Sequence, residues 1–75
     1  MEVSGTGSDG PAVSVLTGRE FQVFEMLSEG MTNREIAGAM GVSIRTVETH
    51  KENAKIRLNL RSAASLQRVA ALWKQ

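Results

Sequence analysis

The chain has no cysteine and no tyrosine, and only one proline, one tryptophan and two phenylalanines in 75 residues. Without cysteine there is no disulfide framework and no thiolate metal site. No apolar run approaches the ~18–20 residues of a membrane span, and the N-terminus lacks the basic-then-apolar pattern of a secretory signal. No segment alternates apolar and polar residues as a half-buried strand does. There is no internal repeat and no glycine-rich phosphate loop, and nothing sets a nucleophile against a base, so an enzyme is hard to build here. A chain this short has too little interior for a roomy pocket or a two-domain cleft. The expectation is one small cytoplasmic domain with no cofactor, no metal, no catalytic residue and no membrane partner.

A formal net charge of +1 looks too small for a binder of polyanions until it is divided by position. In residues 1–30 Arg19 stands against Glu2, Asp9, Glu20, Glu25 and Glu29, a net −4. Residues 31–75 hold eight Lys or Arg against Glu35, Glu48 and Glu52, a net +5. The chain is polarised, and its C-terminal part could face nucleic acid.

The first fourteen residues, "MEVSGTGSDGPAVS", are rich in Gly and Ser and have no helical period. Residues 1–14 read as a disordered leader or linker, with a folded domain over 15–75. Helix starts then follow in order. "TGRE" and "TNRE" are capping boxes, with Thr17 and Thr32 each three residues before a glutamate. Ser43 and Ser62 are candidate caps for two more helices. Gly30, Gly41 and Asn59 are residue types that tolerate the left-handed conformation of a helix stop. These signals predict an all-α domain with helices near 17–29, 33–40, 44–58 and 62–73.

The inward stripes are Val23, Phe24 and Leu27 with Met26 at the edge, then Ile36, Ala37 and Met40, then Val47, Ala54 and Leu58 with Ile44 at the helix start. The last helix offers Leu66, Val69, Ala70 and Trp73. These four exceed what one small core should hold, so a dimer interface is expected there, although Trp73 could also fold back over the core. Ala37, Gly41 and Val47 meet the steric demands of a sharp corner: a small residue for close approach, a positive φ, and a branched plug. The spacing alone fits both a helix-turn-helix and an unrelated αα-corner. The third helix favours the first. Opposite Val47 it presents Arg45, Thr49, Glu52 and Ile56, flanked by Thr46, Glu48 and Asn53. That mixture suits base readout: Arg can fork onto guanine, Glu can accept from cytosine, and the Thr methyl can touch thymine.

The stretch "LTGREFQVFEMLSEGMTNREIAGAMGVSIRTVETH" resembles the C-terminal DNA-binding domain of LuxR-type regulators, the group that includes the NarL/FixJ response regulators. The shared offsets are L-T-x-R-E, an apolar helix ending in E-G, [ST]-N-[KR]-E-I-A, a glycine turn, S-x-x-T-V-x-x-H and a closing L-x-x-R-S, covering about residues 16–73. The resemblance implies sequence-specific double-stranded promoter binding and transcriptional regulation by the output domain of a response regulator. It implies a homodimer through helix 62–73, which would place Leu66, Val69, Ala70 and Trp73 at the interface. RNA polymerase is a further candidate partner, and the nucleoid the place of work. Carried over by position, Arg45, Glu48, Thr49 and Glu52 would read bases. Asn33, Arg34, Thr46, Lys51, Asn53 and Lys55 would meet phosphates.

Relatives commonly carry Lys or Arg where Glu48 and Glu52 stand, so weak non-specific binding and a preference for G·C-containing sites are expected. Ala54 replaces a larger aliphatic residue and should thin the core; Asn59 replaces a glycine and should keep the helix stop. Among the remaining residues, His50 reads as a packed, hydrogen-bonded side chain at the margin of the buried face. Glu20 reads as the capping box with Arg34 or Arg57 as partner. Phe21 falls about 160° from the first stripe and reads as an exposed aromatic, or else as a docking surface. Two other readings stay open. A protein-binding helical adaptor would show no salt-dependent DNA retention, and a sigma-factor-like promoter module would work without self-association.

Overall fold

The computed structural model of the protein describes residues 13–73. A 3-10 turn at Val13–Val15 leads into four helices: α1 (Gly18–Ser28), α2 (Asn33–Met40), α3 (Ile44–Arg57) and α4 (Ala63–Trp73). No strand occurs among the described residues, and the domain is all-α. Each helix starts where a side-chain oxygen takes up orphan backbone N–H groups. Thr17 and Thr32 form complete capping boxes with Glu20 and Glu35. Ser43 caps α3, accepting from the Thr46 N–H at 3.0 Å, and the Ser62 hydroxyl accepts from the Ser65 N–H at 3.1 Å. The stops lie at the expected residues, with φ of +83° at Gly30, +70° at Gly41 and +59° at Asn59.

α1 packs against α3 and α4, while α3 also contacts α2 and α4. α3 is therefore braced from three sides, with one face left over. The core is a single cluster of Val23, Phe24, Leu27, Ile36, Ala37, Val47, Ala54, Leu66 and Ala70. Burying a side chain such as Phe24, Ile36 or Leu66 stabilises the fold by about 1.5–3 kcal/mol each.

Four expectations need correction. Leu66 and Ala70 are 1% and 0% exposed, and Val69 and Trp73 pack against the same cluster, so these four do not form a surplus facing outward. Small side chains at Ala54 and Ala70 let α3 and α4 close on α1, and Trp73 bends over the core at the end of α4. Phe21 is half-buried rather than exposed, with its ring edge-on to Trp73 at 5.7 Å. The Trp73 ring also meets Phe24 at 5.3 Å. Phe21 lies three residues before Phe24, hence on the same helix ridge, and one indole covers both. Ile44 is 39% exposed, because Val47 one turn later takes the inward position at 0%. Val13 packs against the core, and the Leu16 N–H donates to its carbonyl at 3.0 Å, so order starts before Val15. The rest of the expected leader, residues 1–12, lies outside the described residues.

Candidate nucleic-acid interface

The corner between α2 and α3 is set by Gly41. Its left-handed backbone ends α2, and the next N–H, that of Val42, still reaches the Ala37 carbonyl at 3.0 Å. The chain then passes straight into the Ser43 cap. With Val47 and Ala54 anchoring the inner side of α3, Arg45, Glu48, Thr49, Glu52, Asn53 and Ile56 are left exposed on the outer side.

Two hollows divide this surface. One is lined by Arg45, Glu48, Thr49, Glu52 and Asn53. The other lies between the start of α2, the middle of α3 and the start of α4, lined by Asn33, Glu48, Lys51, Glu52, Lys55, Ala63 and Leu66. Glu48 and Glu52 border both and form the ridge between them. The residues expected to read bases thus share one hollow. Asn33, Lys51 and Lys55, expected at phosphates, share the neighbouring one. The other three expected at phosphates lie elsewhere: Asn53 joins the first hollow, Arg34 is exposed outside both, and the Thr46 hydroxyl sits 3.0 Å from that of Ser43 within the α3 cap.

Several of these side chains are held. Lys51 Nζ donates to Asn33 Oδ1 at 2.9 Å, joining the middle of α3 to the first residue of α2. Sequence reasoning did not find this tie, since partners eighteen residues apart meet only once the corner angle is set. Lys55 Nζ pairs with Glu52 Oε1 at 3.1 Å, one helical turn away. The Thr49 hydroxyl donates to the Arg45 carbonyl at 3.1 Å, which ties its hydrogen to the helix and leaves the methyl free for outside contact. Glu48 is exposed and takes part in no hydrogen bond or ion pair among the described residues. The half-buried His50 ring likewise shows no hydrogen bond among them, so the partner expected for it is not seen.

The far end of α3 is fixed to α1. Arg57 Nε lies 2.9 Å from Glu20 Oε1 and 3.1 Å from Oε2, which selects Arg57 over Arg34 as the partner of the buried carboxylate. Glu20 also accepts the Thr17 N–H at 3.0 Å. Burial pushes the Glu20 carboxyl upward; the Thr17 hydrogen bonds and the Arg57 guanidinium outweigh it and hold the group below its ordinary value.

Two short helices joined through a left-handed glycine, the second presenting a mixed polar face flanked by cations, define a helix-turn-helix of the DNA-binding class. Residues 14–70 match the family of bacterial regulatory proteins of the luxR type, and the chain belongs to that family. It is 41% identical over 59 residues to BvgA of Bordetella pertussis, named for positive transcription regulation of virulence factors; the match covers 79% of this chain and 28% of BvgA. It is 40% identical over 56 residues to the nitrate/nitrite response regulator NarP of Escherichia coli, covering 75% and 26%. The oxygen regulatory protein NreC of Staphylococcus carnosus is 35% identical over 68 residues, covering 85% and 31%. The chain therefore spans about a quarter to a third of the length of these relatives. No solved structure matches it. Family and relatives make this a DNA-binding domain of the transcription-regulator class.

Proposed function

We propose that the domain binds promoter DNA sequence-specifically as the output module of a response regulator, with α3 in the major groove. The observation that carries this reading is the pairing of hollows on α3. The outer face of Arg45, Glu48, Thr49, Glu52 and Asn53 is set toward base edges, while Asn33, Lys51 and Lys55 line the neighbouring hollow, where a sugar–phosphate strand would be met. Arg34 adds an exposed cation beside them. The whole regulator's trigger lies in chain beyond this domain, as the relatives' greater length suggests.

Two copies bind a partly palindromic site. Their contact uses the outward side of α4, where Ala64, Arg68, Ala71 and Leu72 are exposed, rather than the buried Leu66 and Ala70. The place of action proposed with it is the DNA of the cytoplasm; no helix among the described residues is long and apolar enough to cross a membrane. RNA polymerase is the expected downstream partner.

Selection on random duplex DNA at two salt concentrations tests the reading. An enriched motif with two-fold character, and affinity falling steeply with salt, are expected. Retention that is absent, or indifferent to both sequence and salt, would sink it. Amide shifts during titration with the enriched duplex should cluster on Arg45–Asn53 and the start of α2.

A further inference from the structure

Resting on the DNA-binding reading, we infer that Glu48 alone is the carboxylate that selects the base, and that the base it selects is cytosine. Glu52 is instead the counter-ion of Lys55, which it holds back from phosphate. Both glutamates stand on the ridge between the two hollows, yet their surroundings differ. Glu52 is neutralised one turn along by Lys55, whose side chain is only 20% exposed against 57% for Glu52. That pair faces the phosphate-side hollow as a near-neutral unit. Glu48 has no such partner and borders Arg45 and Thr49 in the reading hollow.

A free carboxylate has only acceptors to offer. Against a base-pair edge in the major groove it is repelled by guanine N7 and O6 and by thymine O4. Adenine offers an amine, but the adjacent N7 repels the second carboxylate oxygen. Cytosine presents its N4 amine with no neighbouring acceptor on the same base. Placed on that floor without a counter-ion, Glu48 gains at cytosine and loses elsewhere. Glu52 already has its counter-ion and gains little by choosing.

The test measures binding of the 75-residue chain and its Glu48→Gln and Glu52→Gln variants to the duplex enriched from random DNA. A set of duplexes changes each base pair in turn, and thermal unfolding confirms that each variant is folded. For the unsubstituted chain, replacing one C·G pair per half-site by T·A should weaken binding about tenfold or more, as for a good side-chain–base contact. Glu48→Gln should reduce that ratio to about threefold or less at this position only, since Gln both donates and accepts. Glu52→Gln should keep the ratio within about twofold, tighten binding to all duplexes alike and steepen the salt dependence by about one unit, because Lys55 is freed to meet phosphate. If Glu52→Gln erases the cytosine preference while Glu48→Gln leaves it, the inference is overturned, and the DNA-binding reading still stands. It is equally overturned if neither variant changes any ratio. If the unsubstituted chain retains no duplex at all, the DNA-binding reading fails first and takes the inference with it.

Discussion

At the scale of single residues, the carboxylate of Glu20 is the most consequential group outside the reading face. It is 3% exposed, closes the α1 capping box and grips Arg57 at the end of α3. One side chain thus ties the first helix start to the far end of α3, the helix that carries the proposed DNA face. Its lowered pKa means that the unfolded state takes up a proton before the folded state does. The associated stability is therefore fully present above the ordinary carboxylate value of 4.5 and is lost as pH falls below it, through the folded value. Urea midpoints measured from neutral pH down to about pH 3 should fall for the native chain and fall less steeply for Glu20→Gln. Arg57→Ala leaves a buried charge without its cation and should cost about 2 kcal/mol. That is below the 3–5 kcal/mol of a fully buried pair, because half of Arg57 is open to water and screening. A urea midpoint unchanged by Arg57→Ala would show the contact to be incidental. The capping role of Glu20 was legible in the sequence, since it depends on a spacing of three; the choice of Arg57 was not, since it depends on how α1 and α3 cross.

Among the elements, the helix boundaries were legible because caps and stops are local chemistry. Thr17, Thr32 and Ser43 each announce a start, and Gly41 and Asn59 each end a helix with positive φ. The role of α4 was read less well. A sequence pattern shows that Leu66, Val69, Ala70 and Trp73 share a face; it cannot show how much volume the other helices leave for that face. The exposed face of α3 was legible by contrast, because fixing Val47 inward determines everything opposite it. The sharpest element-level test lies at the corner. Gly41 sits at φ +70° with open space where an added Cβ would stand, so Gly41→Ala is opposed by backbone strain alone. It should cost about 1 kcal/mol and lower the melting temperature by about 4–8 °C for a domain of this size. A larger loss, or broadened amide signals confined to α2 and α3, would mean that the corner itself had re-formed.

For the whole molecule, a chain of net charge +1 meets a polyanion by keeping its charges apart: the acidic part precedes residue 31 and the basic part follows it. Within the basic part, Lys51 is bonded to Asn33, so the middle of α3 and the start of α2 are tied together before any partner arrives, while Lys55 is held by Glu52. On the proposed reading, the Lys51–Asn33 tie lowers the entropy cost of binding and helps fix the register of α3 on the duplex. Lys51→Ala should therefore do two things at once. It should weaken binding to every duplex by a similar factor and reduce the salt slope by about one unit, and it should leave the ranking of base substitutions unchanged. Association through α4 is a separate matter. Leu72 is 63% exposed at the end of that helix, beside Ala71 and Arg68. If two copies meet there, a carboxylate at this position must be desolvated in the contact, whereas a single copy on DNA leaves it in water. Leu72→Glu should then abolish cooperative occupancy of a duplex with two half-sites, seen as a loss of the two-copy band in a mobility-shift titration. Affinity for a single half-site and the melting temperature of the free domain should stay the same. Cooperativity that survives the substitution would place the contact between copies on another face, and would leave the reading face of α3 untouched.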